Sequence, residues 1–262
     1  MSTQSKNTFF GGAAILAVGI AVVKLIGMFY KIPLVNIIGD AGYADFSNAY
    51  YIYSVLLTIS TAGLPVALSK MVSEANTLGR RDQVHKVFRV ALGAFLALGV
   101  ISFLIMYFGA GQLAGAMKDS QAAMGIRVLA PAVVCVGCLA AFRGYAQGHG
   151  NMAPTAVSQI IEALCKLILG LGLAIYLVKL GRAEYEAAAG AIAGVTVGTM
   201  LALCYMILSY IRQRGREEPC ADLATQSTGT ILRTLLAIAI PITLSSSMVG
   251  IVTVIDSAIV QG

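Results

Sequence analysis

Lys24, Arg127, Glu162, Lys166 and Asp256 are ionisable residues set in long apolar stretches. If those stretches cross a membrane, each charge is costly and is kept facing water, a partner or a ligand. Lys24 has no acidic residue within a helical turn. An ammonium in that position calls for water, a partner on another helix, or an anionic ligand. Glu162 and Lys166 are four apart, so on a helix they share one face in the order that favours an ion pair. They either neutralise each other or present both groups to a ligand. Arg127 and Asp256 fall near the ends of their stretches and read as side chains reaching back to the interface. Basic groups are in excess among these residues. That balance leans toward a phosphate- or diphosphate-bearing cargo, since an organic cation would want a dominant carboxylate.

Other chemistry is thin. Cys135-Val-Gly-Cys138 has redox spacing but sits in apolar sequence and reads as small packing residues. His85 and His149 have no second ligand at metal-binding spacing. No phosphate-binding loop, nucleophile elbow or zinc-protease motif is present, so neither an enzyme nor a cofactor is expected.

The elements that must hold these charges follow from composition. Of 262 residues, 58% are hydrophobic and only 11% are charged. A soluble domain carries about 25% charge to wet its surface. The apolar residues gather in runs near 9–30, 49–68, 90–108, 122–142, 154–178, 187–210 and 234–255. A run of about 20 residues spans the hydrocarbon core as a helix, and unbroken apolar runs without alternation are not barrel strands. The fold class expected is all-α: a polytopic transmembrane helix bundle of about seven spans.

Orientation follows from the basic residues. With the N-terminus inside, Lys6, Lys70, Arg80, Arg81, Lys86, Arg89, Arg143, Arg212, Arg214, Arg216 and Arg233 lie on the cytoplasmic side. Only Lys31, Lys118, Lys179 and Arg182 lie outside. This asymmetry predicts a multi-pass protein with a cytoplasmic N-terminus. It also accounts for the net charge of +6 without a nucleic-acid partner. Tyr43, Tyr50, Tyr51 and Tyr53 read as an interfacial aromatic belt. Pro65, in Ala62-Gly63-Leu64-Pro65, predicts a bend of the kind alternating access can use.

Several segments resemble one family as a set. They are Lys24-Leu-Ile-Gly-Met-Phe-Tyr-Lys-Ile-Pro33, Asn36-Ile-Ile-Gly-Asp40-Ala-Gly42, Ala49-Tyr-Tyr-Ile-Tyr53 and Ser60-Thr-Ala-Gly-Leu-Pro-Val-Ala-Leu-Ser-Lys70. A second block is Phe142-Arg-Gly-Tyr-Ala-Gln-Gly148 with Met152-Ala-Pro-Thr-Ala-Val-Ser-Gln-Ile-Ile-Glu162. The chain resembles the polysaccharide-biosynthesis flippases of Gram-positive bacteria, including the stage V sporulation protein B group and the MurJ-type lipid II flippases.

That resemblance implies the multidrug/oligosaccharidyl-lipid/polysaccharide exporter fold, with two lobes of six helices. Residues 1–232 would form the first lobe, and 233–262 the first helix of a second, truncated lobe. The implied activity is outward flipping of a lipid-linked oligosaccharide diphosphate across the bacterial cytoplasmic membrane by alternating access. Lys24, Lys166 and Glu162 would line the substrate cavity, and Asp40 and Pro65 would take part in gating. Expected partners are the lipid-linked diphosphate, membrane lipids and a missing C-terminal lobe. Two alternatives stand beside this: a cation-coupled multidrug antiporter of the same fold, and a half-length membrane protein that does not transport.

Overall fold

The structure, a computed structural model, describes the backbone of residues 3–61, 63–214 and 225–261. Side chains are described for 11–12, 14–58, 63–214 and 225–245. Asp256 therefore lies outside the described side chains.

Every regular element among the described residues is helical. In chain order these are α1 (Thr3–Thr61), α2 (Leu64–Thr77), α3 (Arg81–Phe108), α4 (Ala110–Ala116), α5 (Ala122–Gly148), α6 (Ala153–Cys165), a π-helical turn (Lys166–Gly170), α7 (Leu171–Lys179), α8 (Glu184–Arg214) and α9 (Thr228–Gln261). Six helical stretches are long and apolar enough to cross a membrane: Ala14–Thr58, Arg81–Phe108, Ala122–Gly148, Ala153–Lys179, Glu184–Arg214 and Thr228–Ser245. Large apolar side chains such as Ile20, Phe29, Ile101 and Ile168 are exposed on their outer faces, where lipid would meet them. The chain is a multi-pass helical membrane protein.

The sequence reads as seven spans, yet six stretches are found, because the first two spans are arms of α1. A straight helix of 45 residues would be about 68 Å long, more than twice a hydrocarbon core of about 30 Å. Gly39 breaks it, with φ 71° and ψ 177°. That conformation is open to glycine and costly for residues with a Cβ. The chain doubles back there. Tyr30 and Phe46 meet with ring centroids 6.0 Å apart, and the Lys31 ammonium lies 5.6 Å from the Tyr43 ring. In a straight helix Tyr30 and Phe46 would stand about 24 Å apart. The segment between the two spans, expected as a loop, is thus helical almost throughout. A single left-handed residue makes the reversal.

α5 is the most enclosed of the long helices and packs against α1, α2, α3 and α8. Two apolar cores lie along the bundle. One gathers Tyr30, Leu34, Ile38, Ile126, Leu129 and Ile192 toward the Gly39 end. The other gathers Leu68, Phe88, Tyr145, Met206 and Ile231 toward the opposite, arginine-rich end. Along α5 the first core ends at Val136 and the second begins at Leu139. Along α8 the division falls between Val195 and Ala202. The polar groups that matter sit at this seam.

The bundle's ends are tied by short turns. At the Gly39 end, Asn48 donates to Asp119 Oδ2 (2.8 Å), and the N–H groups of Gln121 and Ala122 donate to Asp119 Oδ1 (3.2 Å each). Asp119 thereby caps the start of α5. Burial pushes its carboxyl up, but hydrogen bonds from Asn48, Asp45 and those two N–H groups outweigh it and hold it below the ordinary carboxylate range.

A cationic cavity at the seam of the bundle

At the seam, α5 supplies Arg143. Its Nε donates to Ser158 Oγ (2.9 Å), and its Nη2 pairs with Glu162 Oε2 at 3.1 Å. Ser158 in turn donates to the Thr155 carbonyl (2.8 Å), which fixes the hydroxyl oxygen as an acceptor for the guanidinium. The Thr199 hydroxyl lies 3.4 Å from Glu162 Oε1 and 2.9 Å from the Val195 carbonyl. With one proton to give, it favours the shorter contact. The pair is largely enclosed, with 16% of the Arg143 side chain and 26% of the Glu162 side chain exposed. An enclosed ion pair gains from further hydrogen bonds to its partners, and Ser158 supplies one to the guanidinium.

Lys166 follows one turn after Glu162 but is not its ion-pair partner. Its ammonium stands 4.5 Å from the Tyr50 ring centroid, 4.9 Å from Tyr30 and 5.9 Å from Phe46. Three ring faces around an ammonium stabilise its charge through their quadrupoles. Phe46 also stacks on Tyr43 and Tyr50, with centroids 6.1 and 5.9 Å away. Both α1 arms contribute to this cage: Tyr30 from the first, Phe46 and Tyr50 from the second. The Gly39 reversal is what brings them together. Lys166 opens the π-helical turn, whose Gly170 backbone is met closely by Gly194 of α8. A Cβ on Gly194 would overlap that backbone.

Two hollows adjoin at the cage. One, of about 390 Å³, is lined by Lys24, Tyr30, Tyr50, Arg143, Gln159, Glu162 and Lys166, among others. The second, of about 310 Å³, shares Gly27, Tyr30, Tyr50 and Lys166 and adds Lys31, Tyr43, Ser47 and Ser54. Lys24 is exposed on the first arm of α1, and among the described residues no carboxylate pairs with it. Among the described residues, the first hollow thus collects three cations against one carboxylate. Gln159 Oε1 is buried there without a hydrogen-bond partner. An arrangement of this kind suits an anion that also brings hydrogen-bond donors.

Lys24, Glu162 and Lys166 are therefore brought together, but not as the spacing suggests. The Glu162–Lys166 pair is replaced by Arg143–Glu162, with Lys166 held by aromatic rings. Arg143, expected in a loop, lies inside α5 because that helix runs six residues beyond Phe142 to Gly148. Of the tyrosines expected as an interfacial belt, Tyr53 is buried at 3% exposure and Tyr43 and Tyr50 join the cage, while Tyr51 is exposed. Asp40 is exposed, next to the Gly39 reversal and outside the lining of both hollows. Pro65 stands in the first turn of α2, starting a new helix after Gly63, and also outside both hollows. Arg127 is exposed near the start of α5, as a side chain reaching the interface would be. Cys135 and Cys138 are half-buried.

The chain is similar to known proteins over nearly its full length. It is 28% identical over 255 residues to the uncharacterized membrane protein YabM of Bacillus subtilis (strain 168), covering 96% of this chain and 47% of that protein. It is 31% identical over 204 residues to the lipid II flippase MurJ of the same organism, covering 71% of this chain and 38% of that protein. The chain thus spans less than half the length of these relatives. Among solved structures, a MATE protein crystallised in complex with MaD3S superposes with a TM-score of 0.77 at 17% identity, over 92% of this chain and 53% of that one. That likeness is one of fold. Residues 9–262 match the family of polysaccharide biosynthesis proteins, and the chain belongs to it.

Proposed function

We propose that the chain is the N-terminal part of a flippase that carries a lipid-linked oligosaccharide diphosphate to the outer leaflet. The observation that carries this reading is the hollow in which, among the described residues, Lys24, Arg143 and Lys166 converge against the single carboxylate Glu162. A diphosphate brings two or more negative charges, and guanidinium and ammonium groups in a dry site are its natural partners. The similarity to a lipid II flippase supports the same cargo class.

In this reading residues 1–232 are one lobe, residues 233–262 begin a second, and the hollow opens between them. The N-terminus is cytoplasmic, in the bacterial cytoplasmic membrane, as the basic residues suggest. The diphosphate enters from the cytoplasmic side and meets Lys24 first, since Lys24 is the exposed cation. The polyprenyl tail stays in lipid. The lobes then rock, with Asp40 beside the Gly39 reversal and Pro65 at the α1–α2 break serving as gating positions. A negative-inside potential favours outward movement of an anion by about 2.3 kcal/mol per charge per 100 mV. Any cation that moves with the cargo subtracts from that gain.

A multidrug antiporter is the second reading. The aromatic cage favours it, because rings that hold the Lys166 ammonium can also hold an organic cation. Lys24→Glu separates the two. In proteoliposomes carrying the complete two-lobed protein, it abolishes flipping of a fluorescent lipid-linked diphosphate. It leaves transport of an organic cation intact or improved if the cargo is cationic. A third reading, a membrane protein that does not transport, predicts no movement of either probe with the unaltered sequence.

A further inference from the structure

We infer that the second hollow, of about 310 Å³, is a subsite for the sugar unit bonded to the cargo's diphosphate. This subsite presupposes the flippase reading and deepens it. The hollow is within the size of small-ligand pockets, about 300–1,000 Å³. Apart from Lys166, its described lining comes from the two arms of α1. On the second arm, Ser47, Tyr51 and Ser54 stand at positions i, i+4 and i+7 and so share one helical face, with Tyr43 and Tyr50 beside them. The Gly39 reversal sets that face against Gly27, Tyr30 and Lys31 of the first arm.

The lining suits a pyranose, which has an apolar C–H face and a rim of hydroxyls. Such a ring takes a flat aromatic surface on one side and hydrogen-bonding groups around its edge. Tyr43, Phe46 and Tyr50 form a stacked run, with interplanar angles of 20° and 10°, and the Tyr51 ring stands 49% exposed. The Ser54 hydroxyl donates to the Tyr51 carbonyl at 2.8 Å, which leaves its oxygen to accept from a sugar hydroxyl. The ammoniums of Lys31 and Lys166 donate to sugar oxygens, and their charge counts against an organic cation as the occupant.

The order of groups along the cargo points the same way. Its diphosphate is bonded to an apolar tail on one side and to a polar glycan on the other. With the diphosphate at Lys24, Arg143 and Lys166, the first hollow offers the tail Ile20, Val23 and Ile26. Across Lys166, Tyr30 and Tyr50, which line both hollows, the second is the polar continuation. Gly27 also lines both, and nothing stands within 4 Å of where its Cβ would be, so the backbone leaves the junction open.

The test titrates the 262-residue chain in nanodiscs with farnesol, farnesyl diphosphate, and farnesyl diphosphate carrying either glucose or N-acetylglucosamine, read by calorimetry. At least one sugar should tighten binding about tenfold over the bare diphosphate, about 1.4 kcal/mol. Tyr51→Ala, a change at an exposed position that lines only the second hollow, should bring the ratio of sugar-bearing to bare affinity down toward one. Ser47→Leu, which fills the same hollow from the neighbouring turn, should do likewise and serves if the first variant fails to fold. The subsite is ruled out if neither sugar tightens binding, or if a folded variant keeps the full gain. Bare diphosphate that binds no tighter than farnesol overturns the flippase reading itself, and the subsite with it.

Discussion

Arg143 and Lys166 divide the labour that the spacing of Glu162 and Lys166 would assign to one pair. Glu162 offers a single negative charge to two nearby cations, and the guanidinium takes it at 3.1 Å because its planar fork also reaches Ser158. The ammonium is left to the rings of Tyr30, Phe46 and Tyr50. Breaking one partner of an enclosed pair leaves an uncompensated charge. Arg143→Gln should therefore destabilise the chain by about 3–5 kcal/mol. Glu162→Gln on that background should restore much of the loss, as a double-mutant cycle of thermal unfolding in detergent would read. Removing a ring acts more gently. Tyr50→Leu should cost about 1–2 kcal/mol through the lost cation–π contact. The same cycle with Lys166→Met should return most of it. Lys24, Glu162 and Lys166 were legible in the sequence because charge inside an apolar run is rare and expensive. Arg143 was not, because a basic residue just past an apolar run looks the same whether it closes a helix or starts a loop. Its one local signal was Glu162, and that carboxylate had a nearer candidate four residues on.

At the scale of elements, hydrophobic runs locate helices well and their reversals poorly. Runs near residues 9–30 and 49–68 predict two spans with a loop between, whereas the intervening residues are helical around Gly39 alone. Helix content there depends on one backbone conformation, which composition does not report. The tyrosines near the second run look like an interfacial belt for the same reason: the fold-back sets Tyr50 over Lys166 and Tyr43 against Phe46, and leaves Tyr51 exposed. Gly194 has a comparable hidden role, letting α8 press on the π-helical turn that presents Lys166. Gly194→Leu should cost about 1–3 kcal/mol by overpacking, measured as a lower midpoint of thermal unfolding. Asp119 anchors the start of α5, and Asp119→Ala should cost about 1 kcal/mol as a lost cap. Because its folded carboxyl is held below the usual range, its contribution is full above the unfolded value of about 3.9 and fades as pH falls through the folded value. The Asp119→Ala penalty should accordingly shrink as unfolding is measured progressively further below the unfolded value.

For the whole molecule, two apolar cores lie on either side of a charged seam, which in the proposed reading is one wall of the transport path. α9 packs against α2 and α3, and Gly63 of the α1–α2 break donates to Thr243 of α9 at 3.1 Å. In the proposed reading, the second lobe that residues 233–262 begin closes the open side of the hollow. The family and the all-helical membrane fold were both readable from the sequence, since long apolar runs and the paired motifs at residues 24–70 and 142–162 are local features. The cargo depends on how charges from α1, α5 and α6 meet in space. The central claim is that this meeting serves a diphosphate. The measurement that tests it most directly is equilibrium binding of a short polyprenyl diphosphate, against the matching neutral polyprenol, to the unaltered chain and to Lys24→Gln in nanodiscs. The diphosphate should bind in preference to the alcohol, and Lys24→Gln should weaken it about tenfold or more, about 1.4 kcal/mol. Equal binding of diphosphate and alcohol, or a diphosphate affinity indifferent to Lys24→Gln, would contradict the account.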